Sequence, residues 1–150
     1  MQLDPNFSEF IGLLLAHRVR FLVVGGYAVG VHGHPRYTAD LDIWVAVDEG
    51  NAQALLGALR DFGFGDLGLN VQDFLYPEIV VQLGYPPLRI DLLTSIDGVD
   101  FSEAHRRRLE VVLDDVSVPV ISRDDLRCNK QATGRAQDLA DLEALEADGP

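Results

Sequence analysis

Hydrophobic and polar positions alternate along this chain in blocks that predict helix and strand by turns. Asp4-Pro5 followed by Phe7, Phe10, Ile11, Leu14 and Leu15 combines an N-cap, a proline at the first helical position and a stripe at helical spacing. The run Phe21–Val24 reads as a buried strand stopped by Gly25-Gly26, with a short helix expected over 27–32. A second strand is expected over 40–47, after which Asp48 caps a helix with Ala52, Leu55, Leu56, Leu59 and Phe62 on one side. Residues 63–74 are glycine-rich and poorly periodic and read as loop. Two strands, 79–83 and 89–94, flank Gly84-Tyr85-Pro86-Pro87, and a charged helical piece over 101–108 leads into Leu109–Leu113. Asp114-Asp115 then turns the chain into a strand over 116–121, where Pro119 suggests a sheet edge. Ser122 to Asp125 resembles a capping box that opens a final helical region with Leu139, Leu142 and Leu145.

This alternation predicts a single α/β (α+β) domain spanning 1–150: a mixed sheet flanked by helices, with its core over about 19–121 and a C-terminal helical segment over about 122–147. The chain's 150 residues suit one domain, and residues 147–150 are expected to fray. No apolar run approaches the roughly 18 residues of a membrane span. The acidic start MQLDPNFSEF is unlike a secretory leader, so a cytoplasmic location and no membrane partner are expected. A lone cysteine, Cys128, excludes an internal disulfide and reads as a buried small hydrophobe.

Charge narrows the partners. Twenty-four acidic residues against 12 basic ones give a net charge of -12, which argues against a broad nucleic-acid-binding surface. All the basic residues are arginine except Lys130, so any chemistry that needs an ammonium has one candidate.

The candidate chemistry sits on two strands. A period of two places Asp40 and Asp42 on one face and Leu41, Ile43 and Val45 on the other. Alone, an Asp-x-Asp pair is commonly two solvated aspartates. Their Cα atoms would nevertheless lie about 6.6 Å apart, a spacing that suits a site for two divalent ions, for which magnesium with its preference for oxygen ligands is the candidate. Asp91, inside the otherwise apolar Arg89-Ile90-Asp91-Leu92-Leu93, is the natural third carboxylate, because an unpaired charge there is costly. Arg89 shares its face, so a plain ion pair competes with that reading. Asp97 and Asp100 read as solvated turn residues.

Gly25-Gly26, between a strand and a helix, lets backbone amides approach a phosphate, or equally makes a tight turn. The string GGYAVG lacks both the dinucleotide-binding and the P-loop patterns. Arg36 and Thr38 precede the aspartates and are candidates for phosphate or acceptor contact. His32-x-His34 reads as helix-end polarity, Trp44 as core or a base-stacking platform, and Arg106-Arg107-Arg108 as a solvated face.

Val24-Gly25-Gly26, then Asp40-Leu41-Asp42-Ile43, then Asp91 on a later strand resemble the signature of the polymerase-beta-like nucleotidyltransferase superfamily. The string GGYAVGVHGHPRYTADLDIWV is similar to its small bacterial branch with AbiEii-type toxin nucleotidyltransferases. The C-terminal string around Asn129, Lys130, Arg135, Asp138 and Asp141 resembles a stretch of the same branch, with Gln137 where members often carry a basic residue.

The resemblance implies transfer of NMP from an NTP substrate by a magnesium-dependent enzyme. Two Mg2+ would sit on Asp40, Asp42 and Asp91, the triphosphate would lie near Gly25 and Gly26, and Lys130 and Arg135 would return to the phosphates. It leaves the acceptor open between tRNA, protein and a small molecule, and it brings a possible toxin-antitoxin partner. The alternative is a degenerate relative acting as a protein-binding antitoxin or a nucleotide-binding regulator.

Overall fold

The computed structural model describes residues 3–34, 39–85 and 88–147. Six strands form one mixed sheet in the order β3-β4-β2-β1-β6-β5: β1 is Phe21–Val24, β2 Asp40–Val45, β3 Val80–Tyr85, β4 Leu88–Leu93, β5 Leu109–Leu113 and β6 Val116–Val120. The helices are α1 Pro5–Ala16, α2 Gly25–Val31, α3 Glu49–Asp61, α4 Phe101–Arg106, α5 Arg123–Thr133 and α6 Ala136–Ala147. The expected α/β architecture is the one observed. No helix among the described residues is long and apolar enough to cross a membrane.

Local chemistry sets the boundaries. Asp4 accepts the Asn6 N–H at 2.8 Å ahead of Pro5, and Asp48 accepts the Asn51 N–H at 2.7 Å, so α1 and α3 start where their caps stand. Phe7, Phe10, Ile11 and Leu14 of α1 and Ala52, Leu55, Ala58 and Leu59 of α3 are buried. Leu41, Ile43 and Leu92 of the central strands join the same core. The β2 face that carries the aspartates is therefore left for other elements.

Three expectations change. The helix after β1 begins at Gly25 itself, two residues earlier than its side-chain pattern suggests. The 63–74 stretch ends in a 3-10 turn, Val71–Phe74, opened by a reciprocal cap between Asn70 and Asp73. Pro119 lies on β6, which is interior to the sheet. There Ile121 donates to Val23 O, and the next donor on that side, two residues back, would be Pro119. The missing N–H falls where the parallel β1–β6 ladder is reduced to the single register pair Val23 and Val120.

Candidate functional site

The sheet register assembles the acids. In β2, Asp42 is paired with Val24 of β1 on one side and with Asp91 of β4 on the other, and Asp40 is opposite Arg89. The period-two reading of β2 holds, since Leu41 and Ile43 are fully buried while Asp40 and Asp42 remain partly open. Gly25 takes a φ of +68°, and a Cβ at that position would run into the Asp42 carboxylate. The missing side chain of Gly25 is thus the space in which Asp42 sits.

Arg89 binds its neighbours closely. Its Nη2 donates to Asp40 Oδ2 at 3.0 Å, its Nε to Asp91 Oδ1 at 3.0 Å, and Nη2 also reaches Asp91 Oδ2 at 3.3 Å. The ion pair foreseen as a competitor is therefore present. Asp42 lacks such a partner among these bonds: burial, then the Asp91 and Asp40 charges, pushes its carboxyl up to about 7, against the pull of Lys130 and Arg89. Among the described residues no three His, Cys, Asp or Glu groups converge as metal ligands. The donor chemistry still suits a hard cation, because a crowded, under-compensated carboxylate is what a divalent ion relieves. Oxygens now bonded to Arg89 would have to be shared or released for it.

Gly25, Gly26, Asp40, Asp42, Lys130 and Arg135 line one cleft of about 440 Å3. Asp91 is buried beside them on β4, turned to Arg89. Arg36 and Thr38 lie outside the described residues. The C-terminal cations reach the cleft because Gly134, at φ +67°, ends α5 in a left-handed cap and sends α6 back along it. Lys130 Nζ then lies 3.0 Å from Asp138 Oδ1 and 3.2 Å from Asp141 Oδ2, with all three side chains at most 6% exposed. Arg135, 76% exposed, places Nε 2.6 Å from Asp138 Oδ2. Desolvation alone would raise Asp138, but bonds from Arg135, Lys130 and Thr133 bring its carboxyl down to about 2.

Sequence reasoning missed part of this wall. Asp97, Asn129 and Thr133 also line the cleft. Asn129 Nδ2 donates to Asp97 O at 3.0 Å, and Gly98 packs against the Cys128 carbonyl and Ala132, which presses the 95–98 turn onto α5. A cue was present in Gly98, whose φ of +81° and close approach both need glycine. Cys128 is exposed, contrary to expectation, because α5 turns Leu126 and Lys130 inward. Trp44 is core, 2% exposed and edge-to-face with Phe101 at 5.0 Å. His32 Nε2 meets Ile121 O at 2.9 Å, which fits helix-end polarity.

Residues 3–147 match the family described as "Nucleotidyltransferase of unknown function (DUF6036)". No curated protein matches the chain in sequence. Among solved structures, the lincosamide antibiotic adenylyltransferase LnuA, lincomycin-bound, is similar at 16% identity and a TM-score of 0.60, covering 97% of this chain and 98% of that one. The antibiotic-resistance factor ANT(2'')-Ia is similar at 10% identity and a TM-score of 0.61, with 95% and 82% covered. An antigenic nucleotidyltransferase-like protein from Paracoccidioides brasiliensis follows at 18% identity and a TM-score of 0.55, with 95% and 75% covered. At these identities the likeness is one of fold.

Proposed function

The chain belongs to the DUF6036 family of nucleotidyltransferases, and from that premise we propose that it moves a nucleoside monophosphate from an NTP to a hydroxyl of its acceptor in the cleft walled by Gly25, Gly26, Asp40 and Asp42. The observation that carries this reading is the register that sets Asp42 between the Gly25 turn and Asp91, with Asp40 two residues away on the same face.

In the reaction, the acceptor oxygen forms a bond to the α-phosphorus. The bond from that phosphorus to the α,β-bridging oxygen breaks, and pyrophosphate leaves with the electron pair. Asp91 is the group to take the hydroxyl proton, once one of its oxygens is released from the two bonds it accepts from Arg89. Asp40, Asp42 and Asp91 are the residues to hold magnesium, which when bound neutralises the triphosphate and the developing charge. Lys130 supplies a fixed positive charge at the cleft, and the exposed Arg135, paired with Asp138 in this structure, is the group to turn toward phosphate oxygens. Gly25 and Gly26 line the cleft in which the triphosphate would lie.

The AbiEii-type branch, with its toxin-antitoxin setting, rests on the glycine and Asp-Leu-Asp strings. LnuA is a lincosamide antibiotic adenylyltransferase seen with lincomycin and ANT(2'')-Ia has been seen with adenylyl-2''-tobramycin, so a small acceptor stands beside tRNA or protein as a candidate.

Titration calorimetry with each NTP and magnesium tests the reading. One NTP is expected to bind wild type, with at least tenfold weaker binding to Asp42→Ala in the presence of magnesium. Absence of binding for every NTP would contradict it.

A further inference from the structure

A second cavity, of about 300 Å3, adjoins the cleft, and Ser95 lines both. It lies along the same sheet face. Trp44 and Leu93 are register partners two residues beyond Asp42 and Asp91, a step of about 6.6 Å along the strands. Trp44 borders this second cavity and Leu93 the first, so a ring-sized molecule in the second can extend a substituent toward the carboxylates.

Its walls have a definite chemistry. Trp44 and Phe101 form an edge-to-face pair at 5.0 Å, and the Trp44 indole N–H is buried with no hydrogen-bond partner among the described residues. A buried donor without a partner is uncommon in folded proteins and marks a place that an oxygen can satisfy. Ser95 Oγ accepts the Glu78 N–H at 2.8 Å, which leaves its own proton to donate. Asp100 lines the cavity and uses Oδ2 on the Glu103 N–H at 3.1 Å, so its other oxygen remains to accept from a cation. Arg20 also borders the cavity, but its guanidinium is paired with Asp48.

A polyanion finds little to hold here. Arg106 is paired with Glu103, Arg107 with Asp125 and Arg108 with Glu110, in a chain whose net charge is -12. The surface that would track RNA phosphates is already neutralised by its own acids.

We propose that the acceptor is a small polyhydroxylated amine, seated between Trp44, Phe101, Ser95 and Asp100 with one hydroxyl directed to Asp91. This rests on the nucleotidyl-transfer reading above and names its substrate class. The amine meets Asp100 and the aromatic pair, and the hydroxyls meet Ser95 and the indole N–H.

Trp44 is the chain's single tryptophan, so its emission reports this cavity directly. The full-length protein is titrated with glucosamine, with neutral myo-inositol and with a short single-stranded RNA, while NTP binding is followed separately by calorimetry. Glucosamine is expected to change Trp44 emission saturably, with about fivefold weaker binding to Asp100→Asn, a substitution that keeps the helix cap. Ser102→Phe, at an exposed position on the cavity wall, is expected to abolish the response without altering NTP binding. No response to glucosamine, tighter binding of the RNA, or an unchanged response in both variants would overturn the proposal if NTP still binds. Failure of NTP binding in wild type would instead remove the reading it rests on.

Discussion

Asp42 stands at the balance between charge and burial. Its carboxyl is pushed up to about 7, so the folded protein keeps a proton there that the unfolded chain has released above its ordinary 3.8. A group raised in this way contributes stability that is full below about pH 4 and is lost as pH climbs through 7. Asp42→Asn imitates the protonated form. In the metal-free protein it is expected to add about 4 kcal/mol of stability at pH 8 and nothing at pH 4, read from thermal melts at the two values. A stabilisation independent of pH would contradict this. Gly25→Ala is expected to cost about 1–3 kcal/mol, from its positive φ, and to displace Asp42 as well. Comparison of its melting temperature and NTP affinity with those of Gly26→Ala, at a helical glycine, checks that the effect belongs to Gly25. The acids of β2 and β4 were legible in the sequence because strand alternation states which side chains share a face. Asp97 was not legible, because a polar turn reads as solvated until the element it packs against is known.

The elements show the same division. Strand and helix identities followed from apolar spacing and from caps such as Asp4, Asp48 and Ser122, whose partners are two or three residues away. Sheet order is different: Pro119 predicts an edge from its missing donor, yet one short ladder absorbs the defect, and only distant pairing reveals that. The α5–α6 corner is intermediate. Gly134 announces a helix end, but the return of Asp138 and Asp141 onto Lys130 is tertiary. That buried cluster ties α6 to the site, and Asp138→Ala is expected to cost about 1.5–3 kcal/mol by leaving Lys130 with Asp141 as its remaining carboxylate. Asp138 is held at about 2, below its ordinary value, so its contribution is present above about pH 4 and lost as pH falls toward 2. Amide exchange in α6 is therefore expected to rise in acid before exchange in β1 and β2, and simultaneous loss of protection would contradict the latch.

For the whole molecule, the excess of acid is unevenly used. Arginines are spent on local carboxylates, while Asp42 remains short of counter-charge at the cleft. On the proposed reading a divalent cation supplies the counter-charge at Asp42, so added magnesium is expected to stabilise wild type, and Asp42→Asn to a smaller extent. In the proposed reaction an α-phosphoryl nucleotide unit, and not a terminal phosphate, leaves the NTP. Incubation of the protein with magnesium, a cell extract as acceptor source, and one NTP labelled at either the α- or the γ-phosphate distinguishes the two. The α label is expected to enter the acceptor, the γ label to depart in pyrophosphate, and Asp42→Ala to abolish both. Transfer of the γ label to an acceptor, or α-label transfer undiminished in Asp42→Ala, would contradict the proposed reaction.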